Sequence, residues 1–124
     1  MHRVIISLAS NRFQKQNLLK ARTRLQQILL FPNYSDELWT EPIGSRKEDL
    51  YLNQLVKAET QLTFDELNNA LKTIEKEFGR TERKRSMKIV PIDLDILQYD
   101  DERYHLNDWD RLYVKDLIDS VHRA

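Results

Sequence analysis

Apolar and polar positions change period several times along the chain, and each change marks an element. Val4 to Ala9 is a short β-branched run closed by the polar pair Ser10-Asn11, which predicts a buried first strand. From Arg12 the period lengthens. Leu18, Ala21, Leu25 and Ile28 recur every three or four residues, forming one apolar stripe on a helix that stops before Pro32. Tyr34 to Pro42 carries Tyr34, Leu38 and Trp39 without helical spacing and predicts a second strand. Ile43 to Asp49 is a polar loop, and Leu50 to Thr60 is a third strand. Thr63-Phe64-Asp65-Glu66 has the residues of a capping box, so a helix opens there with Leu67, Leu71, Ile74 and Phe78 as its stripe. Gly79 stands where a left-handed C-terminal residue is wanted. Arg80 to Lys88 shows no apolar period, whereas Ile92 to Leu97 alternates strictly and predicts a fourth strand. Asp100-Asp101-Glu102 supplies a turn, a short strand follows around Tyr104, and Leu112 to Val121 forms a last amphipathic helix.

The resulting order, βαββαβ and a tail, predicts an α+β sandwich of ferredoxin-like type with its helices on one sheet face, followed by a C-terminal hairpin and helix. A length of 124 residues with 40% apolar content fits a single domain over 1–124. Two glycines and three prolines leave no low-complexity linker and no Gly-rich phosphate loop. Twenty basic residues balance 20 acidic ones, so no global field attracts nucleic acid or an anionic membrane, and anion binding must come from a local cluster. The absence of cysteine excludes a disulfide scaffold, thiolate zinc sites and a Cys nucleophile. The N-terminal apolar run is too short to span a bilayer and lacks the shape of a signal peptide, so a cytoplasmic protein is expected.

The sharpest local signal is Asp93-Leu94-Asp95, because side chains two apart on a strand share a face and can reach one cation. Paired carboxylates repel unless a metal, lysine or arginine neutralises them, and hard oxygen ligands with room for water and phosphate suit Mg²⁺. The bland reading of the same residues is a solvated polar face on an edge strand. Directly upstream, Arg80, Arg83, Lys84, Arg85 and Lys88 fall within nine residues with Glu82 opposing them. Such a run serves as a solvated loop or a patch for RNA or a partner. Beside paired carboxylates it also completes a polyphosphate site. Tyr51 and Asn53 share a strand face, one offering a flat ring and the other an amide for a heterocycle edge. Such tyrosines as Tyr51 and Tyr113 are more often core or rim aromatics than ligand clamps. His2 and His122 lie at the chain ends, where exposure is expected, while His105 follows the Asp-x-Asp strand by one hairpin and can meet the same ligand.

In these residues the chain resembles the 6-hydroxymethyl-7,8-dihydropterin pyrophosphokinase family of folate synthesis, over almost its whole length and in the same order. Ala9-Ser10-Asn11 is similar to the family's Gly-Ser-Asn, and Thr40-Glu41-Pro42-Ile43-Gly44 with Tyr51-Leu52-Asn53 to its Thr-Pro-Pro-Leu-Gly and Tyr-Leu-Asn. Ile74-Glu75 and Gly79-Arg80 match its Ile-Glu and Gly-Arg, and Ile92-Asp93-Leu94-Asp95-Ile96 its Leu-Asp-Leu-Asp-Ile.

The resemblance implies transfer of the terminal diphosphate of ATP to a pterin hydroxymethyl group with release of AMP. Asp93 and Asp95 would hold two Mg²⁺ ions, and Ile43, Tyr51, Asn53 and Tyr113 would line the pterin pocket. Arg80, Glu75, His105 and Arg111 would serve the nucleotide. No nucleic acid or membrane partner is expected beside ATP and pterin, and of the oligomeric states a monomer is favoured.

The family's Trp-Gly-Pro-Arg is here Met87-Lys88-Ile89-Val90, and its second loop arginine is Glu82. Lys88, Arg83 or Arg85 would then supply the missing charge, Lys88 as a catalytic residue. The resemblance stops before the family's C-terminal segment, which belongs to the outer part of that fold. Two other readings stay open: a silent relative that binds nucleotide or pterin with a regulatory or scaffolding role, and a small RNA-binding module. The RNA reading is opposed by zero net charge and by the lack of aromatics in the basic run.

Overall fold

The computed structural model describes residues 1–41 and 50–123. In chain order the elements are β1 (His2–Ser10), α1 (Gln14–Leu25), β2 (Leu30–Tyr34), β3 (Leu38–Thr40), β4 (Tyr51–Thr60), α2 (Phe64–Glu77), α3 (Glu82–Ser86), β5 (Asp93–Tyr99), β6 (Glu102–Arg103), α4 (Leu106–Trp109) and α5 (Leu112–Arg123). Among the described residues the strands form one antiparallel sheet ordered β2-β4-β1-β5-β6, with β3 also paired to β4. Setting β3 and β6 aside, the path β1-α1-β2-β4-α2-β5 is the βαββαβ of a ferredoxin-like α+β fold, with β1 and β4 central.

Strand alternation sorts the core into two parts. Val4, Ile6 and Leu8 of β1, Val56 of β4 and Leu94 and Ile96 of β5 point to one face, where Leu18, Ala21 and Leu25 of α1 and Leu67, Leu71 and Ile74 of α2 cover them. On the opposite face Ile5, Leu55 and Leu97 pack against Val114 and Leu117 of α5. The two crossover helices α1 and α2 thus share one sheet face, as the element order suggested, and the C-terminal α5 lies on the other. The remainder of that second face is floored by small side chains. Ala9 sits between Asn53 and Asp93 in register, and Ser7 between Leu55 and Asp95.

Several boundaries differ from the sequence expectation. Helix α1 ends at Leu25, and a turn with Ile28 N–H and Leu29 N–H both donating to the Leu25 carbonyl carries the last apolar residues into the core. The expected strand from Tyr34 to Pro42 is two strands, because Ser35 turns inward and its hydroxyl accepts from Leu55 N–H at 2.8 Å. The basic segment contains the short helix α3, opened by Lys84 N–H donating to Thr81 Oγ1. The final hairpin strand lies at Glu102–Arg103, one residue before Tyr104. His2 is not free: its Nδ1 is 2.7 Å from Asp100 Oδ2 and its ring stacks on Tyr99. The loop from Ile43 to Asp49 lies outside the described residues, and Ile43 with it. Among the described residues no helix is long and apolar enough to cross a membrane.

Candidate active site

From Asp93 to Ile96, β5 is paired with β1 on one side, while β6 joins its other side only from Gln98 onward. The free edge would leave the backbone groups of Leu94 without partners. Helix α2 supplies them. Glu75 Oε2 accepts the Leu94 N–H at 2.8 Å, and Lys72 Nζ donates to the Leu94 carbonyl at 3.4 Å. The Glu75 side chain is only 5% exposed. Burial pushes its carboxyl above the usual value, and the Leu94 N–H, Lys72 and Arg80 offset only part of this.

Helix α2 ends in a Schellman motif: Gly79 has φ 81°, its N–H bonds to the Lys76 carbonyl, and the Arg80 N–H bonds to the Glu75 carbonyl. That reversal sends Arg80 back along the helix end. Its guanidinium lies 2.7 Å from Asp93 Oδ1 and 3.1 Å from Glu75 Oε2. Burial works against the charge of Arg80, but the hydrogen bond and charge of Asp93, with Glu75, outweigh it and raise the guanidinium above its usual value. For Asp93 burial likewise opposes ionisation, and Arg80 outweighs it, so the carboxyl sits below the ordinary range.

Asp95 lies on the same face and behaves oppositely. Burial and then the charge of Asp93 raise its pKa, although Lys72 Nζ at 3.6 Å and His105 Nε2 at 3.7 Å pull the other way. His105 holds its position through a left-handed backbone, φ 54°, at the start of α4. The side chains of Asp93 and Asp95 are 33% and 21% exposed, so the pair presents oxygen donors outward.

Across the floor of Ala9 stand Asn53 and Tyr51. Asn53 Nδ2 donates to the Leu38 carbonyl at 3.0 Å and to Thr40 Oγ1 at 2.8 Å, and its Oδ1 makes no hydrogen bond among the described residues. Tyr51 is half-buried; burial, then the charge of Asp93, raise its hydroxyl pKa against the pull of Arg80 and a bond to Asn11. Tyr113 packs beside the Ile5-Leu55-Leu97 cluster, and its hydroxyl, raised by burial, lies near Arg111. Arg111 is paired with Asp108 at 3.2 Å.

The sequence candidates thus fall into three groups. Arg80, Glu75, Asp93, Asp95 and His105 converge at the edge of β5. Tyr51 and Asn53 stand two strands away on the same face, and Tyr113 with Arg111 comes from the α4–α5 corner. Lys88 is exposed, with φ 59°, and it forms no ion pair with either aspartate among the described residues. Its carbonyl accepts from Asn11 Nδ2 at 2.8 Å, and Asn11 Oδ1 accepts the Val90 N–H at 2.7 Å, so Asn11 fastens this end of the basic segment to β1.

Lys72 was not legible as a site residue. Its one signal is position three residues before Glu75, a carboxylate that falls on the buried side of α2 and needs a cation. Among the described residues no group of three or more His, Cys, Asp or Glu forms a metal cage. Two carboxylates on one strand face suit a hard cation whose remaining ligands are water and phosphate oxygens.

The family model of 7,8-dihydro-6-hydroxymethylpterin-pyrophosphokinase matches residues 5–119. The chain belongs to this family. As a pyrophosphokinase-family chain it is 36% identical over 105 residues to a 2-amino-4-hydroxy-6-hydroxymethyldihydropteridine pyrophosphokinase of Aquifex aeolicus, covering 82% of this chain and 64% of that protein. The corresponding Porphyromonas gingivalis protein is 31% identical over 101 residues, covering 76% and 67%. A folate synthesis bifunctional protein of Arabidopsis thaliana is 33% identical over 121 residues, covering 90% of this chain and 25% of the plant protein. The chain thus spans a quarter of the plant relative and about two thirds of the bacterial pyrophosphokinases.

Proposed function

We propose that this chain, acting as a monomeric single domain, transfers the terminal diphosphate of ATP to the hydroxymethyl oxygen of 6-hydroxymethyl-7,8-dihydropterin. That oxygen gives up its proton to solvent and bonds to the β-phosphorus, the bond from the β-phosphorus to the α,β-bridging oxygen breaks, and AMP leaves with that oxygen. The observation that carries the reading is the pair Asp93 and Asp95, held outward on one face of β5 beside the low floor of Ala9 and Ser7. Membership of the family supports it.

In this reading Tyr51 and Tyr113 sandwich or flank the pterin, and Asn53 meets its edge through its amide oxygen. Arg80, His105, Arg111 and Lys88 neutralise phosphate oxygens. Glu75 is a positioning residue: it holds Arg80 and the Leu94 N–H, and so sets where Asp93 stands. Two Mg²⁺ ions held by Asp93 and Asp95 would neutralise the polyphosphate and polarise it towards attack. With no covalent intermediate, positioning and charge neutralisation carry the rate.

A second reading, binding of nucleotide or pterin without turnover, draws on one observation. Among the described residues Arg80 is the sole arginine within ion-pair distance of either aspartate, and Glu82 and Val90 stand where the family carries others. Chromatographic detection of AMP separates the two. The protein with ATP, Mg²⁺ and hydroxymethyldihydropterin should release AMP only when the pterin is present, and Asp93→Ala and Asp95→Ala should each abolish release in a folded protein. Tight nucleotide binding with no AMP would establish the silent relative instead.

A further inference from the structure

Three nitrogen-bearing side chains lie near the two site aspartates: Arg80, His105 and Lys72. Arg80 is committed, since its guanidinium is 17% exposed and makes short contacts of 2.7 and 3.1 Å to Asp93 and Glu75. Lys72 is different in every respect. Its side chain is 44% exposed, and its three contacts are all long, 3.4 Å to the Leu94 carbonyl, 3.5 Å to Glu75 and 3.6 Å to Asp95. Contacts at this length are at or beyond the outer limit of a hydrogen bond and hold the ammonium weakly. A lysine head on a four-carbon stem re-pairs easily, and an ammonium is a good point charge for phosphate. Glu75, moreover, also accepts from Leu94 N–H and Arg80 at shorter distances than from Lys72.

Building on the diphosphate-transfer reading, we infer that Lys72 is a phosphate-binding residue of this chain, whose ammonium passes from Asp95 to an outer oxygen of the nucleotide polyphosphate when that carboxylate is engaged by its ligand. Lys88 stands apart from this cluster: among the described residues it makes no ion pair with either aspartate, and its carbonyl is held by Asn11 Nδ2. A structural alternative exists: Lys72 could serve only to cap the Leu94 carbonyl. Glutamine separates the two roles, since its amide still donates to a carbonyl but carries no charge.

The test is calorimetric titration of a non-hydrolysable ATP analogue, and separately of AMP, into wild type, Lys72→Gln and Lys72→Arg, with Mg²⁺ and in EDTA, alongside thermal melts. A lost charge-assisted bond should weaken the triphosphate about tenfold in Lys72→Gln with Mg²⁺, by less in EDTA, where Asp95 keeps the ammonium, and AMP by less than about twofold in either medium. Lys72→Arg should restore most of the affinity, and the melting temperatures should agree. Unchanged triphosphate affinity in Lys72→Gln overturns the inference, as do equal losses for triphosphate and AMP, or losses accompanied by a lowered melt. If wild type binds neither nucleotide, the diphosphate-transfer reading falls and this inference with it. If wild type binds and turns over while Lys72→Gln matches it, only this inference falls.

Discussion

Asp93 and Asp95 are chemically alike and two residues apart, yet the fold treats them in opposite ways. Arg80 compensates Asp93 directly, so its carboxyl lies below the ordinary range. Asp95 receives only the longer contacts of Lys72 and His105, and burial with the charge of Asp93 raises its pKa. A carboxyl raised in the fold stabilises the protein while protonated, and that contribution is lost as pH rises through the folded pKa, above the ordinary 3.8. At neutral pH the ionised Asp95 is therefore a net liability. Asp95→Asn should raise stability at pH 7 by about 1 kcal/mol, a few degrees of melting temperature, and the gain should vanish near about pH 3 where both forms are neutral. The same variant should lose the further stabilisation that Mg²⁺ and ATP give wild type. A lower melting temperature for Asp95→Asn at pH 7 would show that ionised Asp95 supports the apo fold. The positions of these aspartates were legible, because period two alone puts them on one face. Their unequal environments were not, since Lys72 and Glu75 approach from a helix remote in sequence.

Elements whose ends carry their own chemistry were the ones the sequence pattern located well. Thr63 and Glu66 close both bonds of the capping box, and Gly79 takes the left-handed turn that α2 requires. The end of α1 was misjudged because Ile28 and Leu29 keep the apolar period beyond the last helical turn, and periodicity does not say which buried residue is still helical. The basic segment was harder still. Arg80 to Lys88 has no period, but Thr81 and Ser86 bond locally to form α3, and Asn11 grips the carbonyl of Lys88 and the N–H of Val90. This grip makes the segment a strap fastened at both ends, by Arg80 on Asp93 and by Asn11 at Val90. Asn11→Ala should release the second fastening, leave the Val90 N–H without its partner and cost about 1–3 kcal/mol. Hydrogen exchange should quicken at Val90 and Ile89 while the α2 amides, held by their own helix, keep their protection. Uniform quickening across β1 and α2 would mean instead that Asn11 supports the sheet as a whole.

At the scale of the molecule, the sheet is sealed on one face by α1 and α2 and half sealed on the other by α5. The half that no described helix covers coincides with the small residues of β1, so the same register that thins the floor at Ala9 and Ser7 also sets Asn53 on one side and the aspartates on the other. A nucleotide and a pterin bound there would touch β5, the end of β1, the start of β4, the strap from Arg80 to Lys88 and the α4–α5 corner with Arg111 and Tyr113, but not the Val114 and Leu117 side of α5. Binding to the folded state alone stabilises every region that opens only by global unfolding, whereas amides that exchange by local opening gain protection only where the ligand makes contact. Under conditions where local opening dominates, adding Mg²⁺, a non-hydrolysable ATP analogue and a pterin should slow exchange in residues 80–90 and around His105. Amides of α5 from Val114 to Val121 should not change, because the Ile5-Leu55-Leu97 cluster already closes them off. Protection centred on α5, or absent from residues 80–90 despite measurable binding, would place the ligand on another part of the surface and remove the strap from the reaction.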